Sequence, residues 1–241
     1  MSRVKLIQQT DLSEENKEFF DMGVSMDEIS DEERKHPLYE ETPFPENYHE
    51  LHEFYEKEFK HRFALGLQLT RYIALALGLE RNYFEQFFTN SLSTFRTIYY
   101  KPRCKSSVKQ DMLSEQSLRL TTPEHTDSGF LTIVSTLGYE GLQVFHNGVY
   151  RSVPSKTNHF IVNFGDMLST VTNHKVKATK HRVLDIGIER FSNPFFFDPN
   201  YSAKIPINVM DSSEKEYIVY GDYLIQKMVL KYGEWKNFQL G

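Results

Sequence analysis

The chain has 241 residues, 39% of them hydrophobic, 14% aromatic and 25% charged, with a formal net charge of −5 at pH 7. That length supports one compact domain, alone or with a helical annex, while the acidic balance supplies no overall basic field for nucleic acid or an anionic membrane. One cysteine, Cys104, excludes a disulfide framework and a multi-cysteine zinc site. No apolar run nears the ~20 residues that span a bilayer, and the first twenty residues lack a signal-peptide core, so a cytoplasmic globular protein is expected.

Residues 11–60 are acidic and helix-friendly, and residues 1–93 as a whole read as an N-terminal helical region. Within it, Pro37, Pro43 and Pro45 stop any helix and define an ordered, irregular connector. From about Asn47 to Leu79 apolar residues recur at helical spacing: Leu51, Phe54, Tyr55, Phe59, Phe63, Leu67, Thr70, Ile73, Ala74 and Leu77 trace one stripe, and Gly78 is placed to end it. A second short helix is expected over Arg81–Phe88.

After Thr94 the period changes. Ser93–Tyr100, Ser117–Thr121, Leu131–Thr136, Leu142–Phe145, Phe160–Phe164, Arg182–Asp185 and Arg190–Phe197 are short β-type runs, several separated by turn signals such as Asn147-Gly148 and Gly165-Asp166. Many short strands point to a sandwich, jelly roll or barrel over residues 94–215. Tyr217–Phe238 reads as an amphipathic helix, so residues 216–241 are expected to pack a C-terminal helix on that core.

Of nine histidines, His49, His52 and His61 fall on a charged helix face, His146 precedes a hairpin turn, and His174 reads as a surface turn. His125-Thr126-Asp127 is different, because on a strand residues i and i+2 share a face and the imidazole and carboxylate project together. His181 lies 56 residues later and opens another strand. Two histidines and one carboxylate on adjacent strands form one face of an octahedron and leave three positions open, the ligand set of non-haem Fe(II) oxygenases; taken alone, H-x-D is also what a satisfied structural pair looks like. Nine residues after His181 come Arg190 and Ser192, again sharing a face. An arginine in a dry pocket grips a carboxylate bidentately and a serine hydroxyl adds a third hydrogen bond. The alternative is a surface pairing of Arg190 with Glu189 or Asp185.

These stretches resemble the isopenicillin N synthase-like branch of the non-haem Fe(II) and 2-oxoglutarate-dependent dioxygenases. The resemblance runs through His125–Thr132, Gly141–Val144, Val162–Leu168, Thr172–His174, Lys177–Val183 and Arg190–Phe196, in the family's order across about residues 94–200. Arg96–Pro102 looks like the family's tyrosine-containing strand. The resemblance implies a mainly β protein with flanking helices and a double-stranded β-helix (jelly-roll) core. It implies Fe(II) held by His125, Asp127 and His181, and the far carboxylate of 2-oxoglutarate held by Arg190 and Ser192 with Tyr100 assisting. Ile98 stands where many plant members carry an asparagine that also touches the cosubstrate, which weakens any contact assigned to that position. In Phe195-Phe196-Phe197 the rings alternate faces, so one can line the substrate pocket while others fill the core.

The activity so implied is oxidation of a small organic molecule by O2 (hydroxylation, desaturation or ring closure) with decarboxylation of 2-oxoglutarate to succinate. A second reading is a relative that uses iron and O2 without 2-oxoglutarate, the R-x-S pair then gripping a substrate carboxylate. A third is a non-enzymatic, iron-binding homologue with Asp27–Glu33 as a docking surface. Family members carry a longer N-terminal region with an initial strand and an asparagine-histidine-glycine motif; neither is recognisable here, so a truncated N-terminal region is expected. Nucleic acid is not expected as a partner, apart from a local basic patch at Lys101, Arg103, Lys105 and Lys109.

Overall fold

In the computed structural model, which describes residues 17–103 and 119–231, eleven strands and three helices are assigned. The strands are β1 (Lys17–Met22), β2 (Thr94–Tyr100), β3 (Leu120–His125), β4 (Leu131–Ser135), β5 (Leu142–His146), β6 (Val149–Ser152), β7 (Ile161–Phe164), β8 (His181–Leu184), β9 (Arg190–Phe197), β10 (Lys204–Pro206) and β11 (Tyr217–Val219). The helices are α1 (His49–Ala76), α2 (Asp166–Val171) and α3 (Tyr220–Lys231). A five-stranded antiparallel sheet runs β1-β2-β9-β4-β7 and a four-stranded one runs β3-β8-β5-β6. From β2 to β9 the chain passes back and forth between them, which is the expected jelly-roll core.

Period-2 alternation in β9 organises the molecule. Arg190 and Ser192 fall on one face and are buried, opposite Tyr100 and Ile98 of β2. Phe195 and Phe197 fall on the other face and are fully buried, where α1 covers them. The Phe59 ring meets Phe195 edge-on at 5.1 Å and the Phe63 ring packs on Phe197 at 5.4 Å. Tyr55 donates to the Thr97 hydroxyl at 2.6 Å, tying α1 to β2. Phe196 points with Arg190 and Ser192, so of the three rings it alone shares their face.

Several sequence expectations shift. The buried line of α1 is Tyr55, Phe59, Arg62, Gly66, Thr70 and Ala74, whereas Leu51 and Phe54 are exposed. Phe54 lies one residue, about 100° of helix, from the buried Tyr55, and so falls off the buried line. Gly78, at φ +75°, terminates α1 as expected. The second helix over Arg81–Phe88 is instead a turn followed by one 3-10 turn, Glu85–Phe87. In the N-terminal region read as helical, Lys17–Met22 is a strand paired along its whole length with β2. An initial strand is therefore present within residues 1–93, and cross-strand pairing outweighs local helix preference. β6 is the second arm of the Asn147-Gly148 hairpin. The expected helix from Tyr217 begins at Tyr220, because Tyr217–Val219 pair with β10; the Phe238 end lies outside the described residues. No helix among the described residues is long and apolar enough to cross a membrane.

Candidate metal and cosubstrate site

His125 closes β3 and His181 opens β8, and the two are cross-strand partners. Their ring centroids lie 4.1 Å apart. Asp127 lies two residues beyond the end of β3, in irregular backbone ahead of the bend at 128–130, yet its carboxylate projects together with the His125 imidazole, as the H-x-D spacing predicts. Asp127 Oδ1 then sits 3.6 Å from His125 Nε2 and 3.8 Å from His181 Nε2. Ligand atoms of all three residues fall within 4.8 Å of one another, close enough for one cation to touch every one.

Backbone contacts fix the imidazoles. His125 Nδ1 lies 2.9 Å from the Pro123 carbonyl and His181 Nδ1 lies 2.9 Å from the Thr179 carbonyl. A carbonyl only accepts, so each Nδ1 carries a proton, and the neutral tautomer fixed in this way presents its Nε2 lone pair inward. Among the described residues, Asp127 Oδ2 is buried with no hydrogen-bond partner. Burial pushes this carboxyl up, but His125, His181 and Thr132 more than offset it and hold it below the usual range. Two oriented lone pairs and a buried, ionised carboxylate with an orphaned oxygen suit a divalent cation of the Fe(II) type. Next to the two histidines along the chain, Glu124 and Lys180 pair at 2.5 Å and tie the same two strand ends together.

The polar end lies on the large sheet. Arg190 is 4% exposed, and its guanidinium stacks on the Tyr100 ring at 3.5 Å. Neither surface partner considered for it is used: Glu189 accepts from Tyr99 at 2.7 Å, and Asp185 pairs with Arg103. Among the described residues, Arg190 Nη2 is buried without a hydrogen bond. Ser192 is buried beside it, its hydroxyl 3.4 Å from the Tyr100 hydroxyl. A buried guanidinium nitrogen with nothing to bind is costly, and a carboxylate satisfies it. Tyr100, Arg190 and Ser192 are thus brought together as the sequence suggested.

The same face of β1, β2 and β9 carries Phe19, Asp21, Arg96, Ile98 and Phe196. Arg96 grips Asp21 with two 2.6 Å hydrogen bonds and stacks over Phe19 at 4.2 Å. Of the proposed basic patch, Lys101 pairs with Glu18 and Arg103 with Asp185; Lys105 and Lys109 lie outside the described residues. Glu33, assigned to a docking surface, is instead buried and accepts from Tyr39 at 3.0 Å and from Ser202. His146, His159 and His174 are exposed and outside the site. Sequence reasoning missed the carbonyls of Pro123 and Thr179, since every residue has a carbonyl. It also missed Asp198, whose signal was a carboxylate inside the apolar run Phe195–Tyr201.

Comparison with known proteins agrees with this geometry. Residues 91–199 match the 2OG-Fe(II) oxygenase superfamily. Gibberellin 20 oxidase 3 of Arabidopsis thaliana is 32% identical over 178 residues, 71% of this chain and 44% of its own length. Isopenicillin N synthase of Streptomyces clavuligerus is 30% identical over 229 residues, 88% of this chain and 64% of its own. The chain thus spans less than two thirds of either relative. Among solved structures, a full-length Neurospora crassa protein in complex with alpha-KG and thymine superposes with a TM-score of 0.75 at 25% identity, covering 96% of this chain and 73% of that one. The ordered strands, the convergent His125, Asp127 and His181 and these relatives agree: residues 91–199 are similar to the 2OG-Fe(II) oxygenase superfamily, and the chain as a whole is similar to isopenicillin N synthase and gibberellin 20 oxidase.

Proposed function

We propose that this protein is a non-haem Fe(II)- and 2-oxoglutarate-dependent oxygenase acting on a small organic molecule. His125, Asp127 and His181 hold Fe(II); Arg190 and Ser192, with Tyr100, hold the far carboxylate of 2-oxoglutarate. The observation that carries this reading is the pairing of two unfinished sites. Among the described residues, inward Nε2 atoms meet an Asp127 oxygen without a hydrogen bond at one end, and a buried Arg190 nitrogen lacks one at the other.

The bound metal and cosubstrate supply reduction of O2 coupled to decarboxylation of 2-oxoglutarate to succinate and CO2. The chain's residues do the rest. Pro123 and Thr179 keep a histidine proton on each Nδ1, so it is Nε2 of each ring that faces the metal. Arg190 and Ser192 fix one end of the cosubstrate and Tyr100 shields their contact from water, which strengthens it. Phe196, on the same face as Arg190 and Ser192, flanks the substrate space together with Ile98 and the Arg96–Asp21 pair. The Neurospora crassa complex with thymine supports a small-molecule substrate.

A specific observation favours a second reading, in which 2-oxoglutarate is not used: the match to isopenicillin N synthase reaches over 88% of this chain. Arg190 and Ser192 would then grip a carboxylate of the substrate itself. Oxygen-electrode measurements on iron-loaded protein separate the two. Consumption of O2 with release of succinate only when 2-oxoglutarate is added supports the first reading, and consumption with substrate alone sinks it.

A further inference from the structure

Asp198, directly after β9, is a buried carboxyl with no part in the chemistry above. Its backbone is pinned: the Ser91 hydroxyl donates to its carbonyl at 2.5 Å, and its N–H donates to the Ser93 hydroxyl at 3.0 Å. The side chain reaches under the loop that leads from Asp127 into β4, where Oδ1 accepts the Phe130 N–H at 3.3 Å. Contact with the loop is close enough that a Cβ at Gly129 would fall 1.9 Å from Oδ1.

On its other side the loop is held by the start of α2. The Asp166 N–H donates to the Asp127 carbonyl at 2.8 Å and the Met167 N–H to the Gly129 carbonyl at 3.1 Å. A Cβ at Gly165 would fall 2.1 Å from that same Gly129 oxygen. Helix α3 backs both holds: Tyr220, its first residue, lies fully buried beside the Asp198 carboxyl, and Lys227 pairs with Asp166 at 3.0 Å. The backbone that carries Asp127 is therefore clamped from two directions.

We propose that Asp198 is a positioning residue: by holding the Phe130 N–H it sets the direction from which Asp127 approaches the metal. The proposal rests on the reading of Asp127 as a metal ligand. Burial, reinforced by the nearby Asp127 charge, pushes the Asp198 carboxyl up to about 7. Protonated or not, it still offers an oxygen to the Phe130 N–H.

The test uses the full chain with Mn(II) as a redox-stable probe, and the Co(II) absorption spectrum as a report on coordination. Affinity is measured at a temperature where thermal unfolding curves show every variant folded. Asp198→Ala removes the acceptor, and Mn(II) binding is expected to weaken about 10- to 100-fold with a changed Co(II) spectrum, the range typical of partners behind a metal ligand. Asp198→Asn keeps a carbonyl for the Phe130 N–H and is expected to bind within about 3-fold of wild type. If Asp198→Ala fails to fold, Asp198→Ser, too short to reach, takes its place. A folded Asp198→Ala that matches wild type in Mn(II) affinity and Co(II) spectrum overturns the positioning role and leaves a structural one, and so does an Asn variant as weak as Ala. Wild type that binds neither metal overturns the metal reading itself, a distinct failure.

Discussion

The two ends of the site are built by different means. At the metal end each imidazole is fixed by a carbonyl only two residues away, Pro123 for His125 and Thr179 for His181, and Asp127 sits on a clamped loop. The tilt of its imidazoles is set locally at strand ends, whereas its carboxylate loop is held by Asp166, Met167 and Asp198. At the carboxylate end nothing local suffices. Tyr100, Arg190 and Ser192 meet only because β2 and β9 pair Tyr100 with Arg190 and Ile98 with Ser192. A one-residue slip there would send Arg190 to the opposite face, under α1. The two ends should therefore respond separately to substitution.

The largest effect is expected at the metal end. His181→Ala removes a ligand rather than a support, so Fe(II) affinity should fall at least about 1,000-fold, beyond the 10- to 100-fold typical of residues behind the ligands. Equilibrium dialysis under anoxic conditions reads this directly, and retention of tight binding would break the assignment.

The two carboxyls of that end should also shape stability in opposite directions. Asp127 is held below its ordinary value, so its contribution is present above about pH 4 and is lost as pH falls through its folded value. Asp198 is raised from 3.8 to about 7. Metal-free protein is thus expected to lose on the order of a few kcal/mol as pH rises from about 4 to 7, because the unfolded carboxyl ionises first. Urea unfolding across that range should show the slope in wild type and flatten it in Asp198→Asn. An unchanged slope in the variant would contradict the origin given for it.

At the other end, Arg190→Ala should cost about 2–3 kcal/mol of 2-oxoglutarate binding, roughly 30- to 150-fold, while metal affinity holds. Arg190→Lys should recover little, since an ammonium lacks the planar fork. Calorimetry with Mn(II)-loaded protein measures both constants, and a parallel loss of metal would mean that the ends are not separate. Smallest of all, Ser192→Ala removes one hydrogen bond, and about 1 kcal/mol of cosubstrate affinity should go with it.

Much of this was legible in the chain. β9 is legible at its observed bounds because its alternation is long, even though Asn193-Pro194 inside it carries a turn signal. His181, Arg190 and Ser192 stand out because polar groups opening or alternating along apolar strands have few uses. Three features were hidden. β1 carries Lys17, Glu18 and Asp21 among its six residues, and only pairing with β2 makes it a strand. Asp127 reads as a strand residue because H-x-D fits alternation, although β3 ends at His125 and the carboxylate comes from the irregular segment that follows. Leu51 and Phe54 read as part of the α1 stripe, although the line buried against the sheet starts only at Tyr55. In each case the deciding partner lies far along the chain, where local pattern has no reach.

The most direct measurement is an anoxic titration of the full chain with Fe(II) and then 2-oxoglutarate, followed by visible absorption. The account predicts a metal-to-ligand charge-transfer band that needs both additions, vanishes in His181→Ala, and in Arg190→Ala appears only at far higher cosubstrate. Iron binding without any band on adding 2-oxoglutarate would contradict the cosubstrate assignment, and no iron binding at all would contradict the metal site.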